Sequence, residues 1–306
     1  MTSVADRQST VARSLGTTVR AYISLTKPRI VELLLVTTLP TMMLAAGRFP
    51  SVLLVLATLG GGALAAGAAN TLNCYCDRDI DSLMHRTADR PLPSQVVSPR
   101  SALVFGLTLT LVSTALLLWA TTPLAAALSV GAIAWYVFVY TLWLKRRTHH
   151  STVVGGVAGA APVLIGWAAV TGELSWQALV LFAVVFFWQP PHFWALAMRF
   201  RADYARADVP MLPVVAETVV VTRQVVIYTV ITVGISLLLW PLGSSPIYPV
   251  LAGCAGVWFI FEAVLLARRA QSGEALSPMR LFHVSISYLT LVFLGVAGDV
   301  LLDLLG

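Results

Sequence analysis

A chain of 306 residues that is 58% hydrophobic and only 11% charged, with a mean hydropathy of +0.83, has too few charges to cover a water-facing surface. Its formal charge of +6 does not point to nucleic acid, because the 20 basic residues lie almost wholly in the gaps between apolar runs. Cys74, Cys76 and Cys254 form no disulfide framework, and Cys74 with Cys76 lacks the second pair of ligands that zinc requires, so both read as small fillers near a helix end.

In chain order, residues 1–20 are polar and lack the apolar core of a signal peptide. They are expected to form a flexible cytoplasmic tail, with residues 21–306 making a single transmembrane domain. A helix crossing the bilayer core needs about 20 apolar residues. Nine runs qualify, at residues 29–46, 51–75, 101–121, 123–144, 152–171, 176–198, 220–242, 246–267 and 281–303. The expected fold is therefore all-α, a polytopic bundle of nine transmembrane helices. Thr121, Thr122 and Pro123 separate the third and fourth runs, and residues 243–246 separate the seventh and eighth.

The basic residues orient this bundle. Arg7, Arg13, Arg20, Lys27 and Arg29 precede or open the first run, and Arg78, Arg86, Arg90 and Arg100 lie between the second and third. Lys145, Arg146 and Arg147 follow the fourth run, Arg199, Arg201, Arg206 and Arg223 the sixth, and Arg268, Arg269 and Arg280 the eighth. Only Arg48 falls on the other side. Positive loops stay inside, which makes the crowded side cytoplasmic, with the N-terminus in and the C-terminus out. Such a lopsided alternation would collapse if one run were miscounted.

Inside the runs, Gly60-Gly61-Gly62, Gly67, Gly155, Gly156 and Gly159 allow helices close approach. Pro190-Pro191 removes two backbone donors from the sixth run, which must kink or break there, and broken backbone at membrane depth implies a cavity beside it. An internal echo links Asp77-Arg78-Asp79 and Ala88-Asp89-Arg90-Pro91-Leu92-Pro93 with Arg201-Ala202-Asp203-Tyr204 and Ala207-Asp208-Val209-Pro210-Met211-Leu212-Pro213, by duplication or by coincidence.

The segment from Asn73 to Asp81 is the most informative. If the second helix continues through it, Asn73, Asp77 and Asp81 stack at i, i+4 and i+8 on one face. Stacked carboxylates repel, which a helix would not adopt for stability alone. An all-oxygen set without His or Cys favours Mg²⁺ over zinc. Arg86 and Arg90 in the next turns suit bidentate contact with phosphate. The competing reading is a solvated helix end whose acids pair with Arg78, Arg86 and Arg90. A second polar set follows the sixth run: His192, Arg199, Arg201, Asp203 and Tyr204. Asp203 is the candidate to face the first cluster and complete the metal shell. His192 either serves a functional site or bonds carbonyls freed by the two prolines. Lys145 and Arg146 either fix topology or clamp a diphosphate. Glu32 and Glu262 are buried acids without an assigned role, and His85, His149, His150 and His283 read as loop or core residues.

Asn73-x-x-x-Asp77-x-x-x-Asp81 followed by Arg86-Thr87 and Arg90-Pro91 resembles the first aspartate-rich motif of the UbiA superfamily of intramembrane prenyltransferases. Thr26-Lys27-Pro28-Arg29, Tyr140-Thr141-Leu142-Trp143-Leu144-Lys145-Arg146, Pro190-Pro191-His192-Phe193-Trp194, and Asp203-Tyr204 with Pro210-Met211-Leu212-Pro213-Val214-Val215 resemble its heme O synthase branch, from about residue 20 to the last helix. Phe200 stands where members commonly carry an earlier acid of a second motif, which leaves Asp203 alone. Ser151 and Thr152 depart from the expected asparagine and apolar residue. The resemblance implies Mg²⁺-dependent transfer of a farnesyl group from farnesyl diphosphate to the vinyl group of heme b, giving heme O. Asn73, Asp77, Asp81 and Asp203 would hold the metal, and Arg86, Arg90, Lys145, Arg146 and Arg201 the diphosphate. His192 would contact the heme iron or a propionate, or orient the attack. The implied setting is the plasma membrane, surrounded by membrane lipid, with the site open to the cytoplasm and heme A synthase or a terminal oxidase as partner. Other acceptors (a quinone precursor or chlorophyllide), a transporter, and a non-catalytic heme-binding subunit are the competing classes.

Overall fold

With no water to satisfy an exposed backbone, an apolar chain crosses a bilayer only as helices or as a closed barrel. The computed structural model describes residues 15–245 and 247–304, and every described regular element is helical. The elements are α1 (Leu15–Thr26), α2 (Pro28–Ala46), α3 (Val52–Cys76), α4 (Arg78–Asp81), α5 (Pro99–Ala120), and α6 (Pro123–Ala134), which runs on as a π-helix (Trp135–Leu144). They continue with α7 (Ser151–Thr171), α8 (Trp176–Arg199), α9 (Arg201–Arg206), α10 (Leu212–Val215), α11 (Thr218–Leu237), α12 (Ile247–Ser272) and α13 (Pro278–Asp303). Among the described residues eight helices are long and apolar enough to cross a membrane, and α2 is a ninth, shorter one. The chain is a multi-pass membrane protein. Arg7, Arg13 and the side chains of Arg29 and Glu32 lie outside the described residues.

Local chemistry explains where the helices start and stop. Ser51, Ser98, Thr122 and Ser175 each accept a backbone N–H three residues on, and Pro99 and Pro123 occupy first-turn positions where their missing donor is harmless. The spans form a closed ring. Each packs on its sequence neighbour, and α13 returns to both α2 and α8. The α3–α5 pair is locked by small residues: a Cβ on Gly61 would meet Leu117 at 2.7 Å, and the Ser113 hydroxyl donates to the Gly61 carbonyl at 2.8 Å. Outward faces carry the opposite chemistry. Leu53, Leu111 and Val257 are exposed, as lipid contact demands, and Trp119, Trp176 and Trp240 sit exposed near the helix ends remote from the acidic segment. On α1, Leu15, Val19 and Ile23 make an exposed stripe while Ala21 and Leu25 pack against the loop after α4 and the start of α5.

Two local expectations are corrected, and one local feature is new. The polar tail expected through residue 20 gives way to α1 at Leu15, because alternate sides of that segment are apolar. Helix α8 runs unbroken through Pro190 and Pro191. Its neighbours hold it in shape: the Gln189 amide donates to the carbonyls of Val185 (3.3 Å) and Gly156 (2.8 Å), and His192 is fixed by Ser285. The fourth span is half π-helical, a widening that no apolar pattern announces.

Replacing Gly61 by valine should separate α3 from α5, because Leu117 blocks the added carbons. The expected loss is about 1–3 kcal/mol of stability, seen as a lower unfolding midpoint in detergent. An unchanged midpoint would show that this contact does not set the packing distance.

Candidate active site

The polar cluster begins where α3 runs out of apolar residues. Helix α3 stops at Cys76, and Asp77, with φ −93° and ψ 5°, joins it to the single turn of α4. The i to i−4 ladder nevertheless passes through the junction, from Asp77 N–H to Asn73 (2.9 Å) and from Asp81 N–H to Asp77 (2.8 Å). Asn73, Asp77 and Asp81 are all buried, so the stack expected from their spacing forms and faces inward.

A buried carboxylate persists as an anion only if it is paired, and each acid here has a cation. Lys145 donates to Asp77 Oδ2, Asn73 Nδ2 donates to the same oxygen (2.6 Å), and Arg146 lies 3.8 Å from Asp77 Oδ1. Arg90 Nη1 donates to both oxygens of Asp81, at 2.9 and 2.7 Å. Arg146 forks onto the outward-facing Asp79 at 2.6 and 2.7 Å, and that hydrogen-bonded pairing holds the Asp79 carboxyl down to about 2. Lys27 donates to Asn73 Oδ1 at 2.8 Å. Three carboxylates thus meet three cations, a fourth cation holds Asn73, and one acceptor stays open: Asp77 Oδ1 is buried and receives no hydrogen bond.

Two of these partners reach the site through unusual backbone. Lys27 stands between α1 and α2 in the left-handed region (φ 52°, ψ 62°), a conformation lysine rarely adopts. Burial pushes its ammonium down from the ordinary lysine value. Lys145 comes from the π-helix, whose widened turns hydrogen-bond residues five apart: Lys145 N–H to Tyr140 (2.8 Å), and the Thr141 hydroxyl to Tyr136 (2.8 Å). This register sets Thr141 Oγ1 to accept from Asn73 Nδ2 at 3.2 Å and stacks Tyr136 on Tyr140 with centroids 5.2 Å apart. Burial works against the Lys145 ammonium, but Tyr140 and Asp77 more than offset it and leave its pKa above the ordinary value. Gly155 permits the arrangement, since a Cβ there would strike the Tyr140 ring at 2.4 Å.

The second polar set divides. Asp203 and Tyr204 on α9 turn to the loop after α4: Asp203 Oδ2 accepts the Arg86 backbone N–H (3.4 Å), Asp203 pairs with Arg206, and Arg86 donates to the Tyr204 hydroxyl (2.6 Å) while lying over the Phe200 and Tyr204 rings. Asp203 therefore orders Arg86 and makes no bond to Asp77 or Asp81. Among the described residues no three His, Cys, Asp or Glu side chains gather as a ready metal shell. Arg201 lies away from the acids, in a cavity with Arg199 and Arg280. His192 is buried between the rings of Trp188 and Phe282, each 4.3 Å away, with Nδ1 2.8 Å from Ser285 Oγ at the α8–α13 interface. Glu262 is paired with Arg280 at 2.6 Å. Sequence reasoning assigned no role to Lys27, Thr141, Tyr136 or Tyr140. The Lys27-Pro28 step was the one visible signal, because a residue before proline is pushed out of the helical region.

Residues 34–286 match the model of the UbiA prenyltransferase family. Two bacterial relatives are each a protoheme IX farnesyltransferase. The protein of Salinispora tropica is 57% identical, over 95% of this chain and 91% of its own length. That of Frankia casuarinae is 57% identical, over 91% of this chain and 96% of its own. Among solved structures, a digeranylgeranylglyceryl phosphate synthase superposes with a TM-score of 0.76 at 16% identity, over 92% of this chain and 98% of that one. A UbiA homologue from Archaeoglobus fulgidus, bound to DMAPP and Mg²⁺, gives a TM-score of 0.68 at 16% identity, over 90% of this chain and 99% of that one.

Removing one partner of the buried Asp77–Lys145 pair should be far worse than removing both. Lys145→Met is expected to cost about 3–5 kcal/mol, and Lys145→Met with Asp77→Asn should recover most of it, measured as a double-mutant cycle of unfolding in detergent. Additive losses would mean the pair does not stabilise the helix junction.

Proposed function

The chain belongs to the UbiA prenyltransferase family, and from that premise we propose that it transfers a farnesyl group from farnesyl diphosphate to a vinyl group of protoheme IX (heme b), giving heme O and diphosphate. Relatives bearing that activity in their names share more than half their residues with it over nearly their whole length. The observation that carries the reading is the inward stack of Asn73, Asp77 and Asp81 within a surplus of cations.

Mg²⁺ fits this site on one feature. A buried carboxylate oxygen of Asp77 lacks a hydrogen-bond partner, and the ligand atoms that Asn73, Asp77 and Asp81 could offer are oxygens, the set a hard cation selects. Asn73, Asp77 and Asp81 would hold it, with Asp203 as a further candidate across the loop. When bound, the ion neutralises charge on the diphosphate and makes it a better leaving group. The A. fulgidus homologue, bound to DMAPP and Mg²⁺, supports this assignment.

The chain's own residues do the rest. Lys145, Arg146, Arg90 and Arg86 are candidates to take the diphosphate oxygens, where fixed positive charge stabilises the leaving group as its C–O bond breaks. Arg201, turned to another cavity, is left out of that set. The stacked Tyr136 and Tyr140 present ring faces suited to an allylic cation. The surrounding helices keep most water away and give the farnesyl tail an apolar bed. The vinyl carbon forms the new C–C bond; one water then adds its oxygen to the neighbouring carbon and gives up a proton. The site is read as opening to the cytoplasm from the plasma membrane, on the strength of the basic loops around it. Heme A synthase or a terminal oxidase would consume the product. Polar residues concentrated at one end of the bundle speak against a midplane transport site.

Purified protein given farnesyl diphosphate, Mg²⁺ and heme b should produce heme O by mass analysis, and EDTA should abolish the product. Asp77→Asn should lower the rate by at least about a hundredfold. Farnesylation of an aromatic acid or chlorophyllide with heme b untouched would overturn the acceptor assignment.

A further inference from the structure

Beside the acidic site, on the other face of α9, lies a cavity of about 650 Å³ between the ends of α8, α11 and α13, well within the range of roughly 300–1,000 Å³ typical of small-molecule sites. Its walls are apolar at Met198, Leu276 and Met279, and three guanidinium groups, Arg199, Arg201 and Arg280, line it. Their charge is unbalanced. Arg280 is held by the buried Glu262 at 2.6 Å, whereas Arg199 and Arg201 have no ion-pair partner among the described residues. Arginines that serve only to orient a membrane protein need no concave apolar surface; these two have one.

We propose that this cavity seats the carboxylate edge of the porphyrin acceptor, with Arg199 and Arg201 each gripping one propionate. The assignment rests on the acceptor proposed above and extends it to a location. Arginine's planar fork matches a carboxylate, and an apolar wall beside two such forks suits a flat, mostly hydrocarbon dicarboxylate better than it suits a small inorganic anion. Protoheme carries its propionates on one edge and its vinyl groups away from that edge, so gripping the acids directs the reactive edge away from the arginines. Helix α9 makes the connection. Arg201 and Asp203 are two residues apart, about 200° around a helix, so Arg201 meets this cavity while Asp203, on the opposite side, accepts the Arg86 backbone N–H near the acidic site. The propionate edge and the acidic site would then lie on opposite sides of a single helical turn, which leaves the vinyl edge, turned away from the arginines, to reach the donor. Glu262, left without a role by sequence, holds Arg280 in the cavity wall.

The test is a titration of the full chain in detergent with ferric heme b and, separately, with its dimethyl ester, followed at the Soret band. R199Q/R201Q is expected to weaken binding of the free acid by roughly tenfold or more, as loss of charge-assisted bonds predicts, and to bind the ester as the wild type does. Equal affinity of wild type and variant for the free acid overturns the cavity assignment and leaves the acceptor reading standing. A parallel loss of acid and ester in both R199Q/R201Q and R199K/R201K also overturns it, since carboxylate recognition would not distinguish the two ligands. Reduced retention of phosphatidylglycerol with heme binding unchanged makes the cavity a lipid seat, not an acceptor site. A wild type that neither binds heme b nor makes heme O removes the acceptor reading itself, and this proposal with it.

Discussion

The buried pair of Asp77 and Lys145 organises the end of the bundle where the polar residues collect. A carboxylate hidden between membrane helices loses the hydration that would stabilise its charge, and a nearby ammonium restores it only if the geometry is held. That requirement ties the end of α3 to the end of the fourth span, residues 68 apart in sequence. Asn73 extends the constraint in two directions, accepting from Lys27 and donating to Asp77 and Thr141. One carboxylate thus fixes the α1–α2 junction, the α3–α4 turn and the π-helix relative to one another.

The rest of the bundle reads as support for that end. Small residues bring α3 and α5 together, Gly155 admits Tyr140, and the return of α13 to α2 and α8 closes the ring. The π-helix carries a backbone register that ordinary helical spacing would not provide, and π-helical turns of this kind recur at functional sites. Lys27 in the left-handed region is a second irregularity at the same site. Two departures from regular geometry within one cluster fit a site organised for chemistry better than one organised for stability.

Helix α9 shows how a short element can separate two tasks. Its Asp203 accepts the Arg86 backbone N–H, and its Arg201 belongs to a different cavity. The two residues are nearly adjacent in sequence and were grouped on that ground, yet a helix sends neighbours two apart to opposite sides. Likewise His192 follows two prolines that suggested a break, while its actual partners, Trp188, Phe282 and Ser285, come from packing with α13 and keep α8 whole.

Sequence alone determined the features that depend on short-range chemistry. Runs of apolar residues dictate spanning helices because the bilayer leaves a backbone no other partner, and the spacing of Asn73, Asp77 and Asp81 dictates a common face because helical pitch is constant. Arg90 was legible beside them because a short stretch of loop joins it to Asp81, with which it pairs. Tertiary structure alone decided which cation meets which acid, that Lys27 and Thr141 join the cluster, that Asp203 serves Arg86, and that Arg201 turns away. Those choices rest on contacts between distant helices and on left-handed and π-helical backbone, neither of which leaves a periodic trace in the chain.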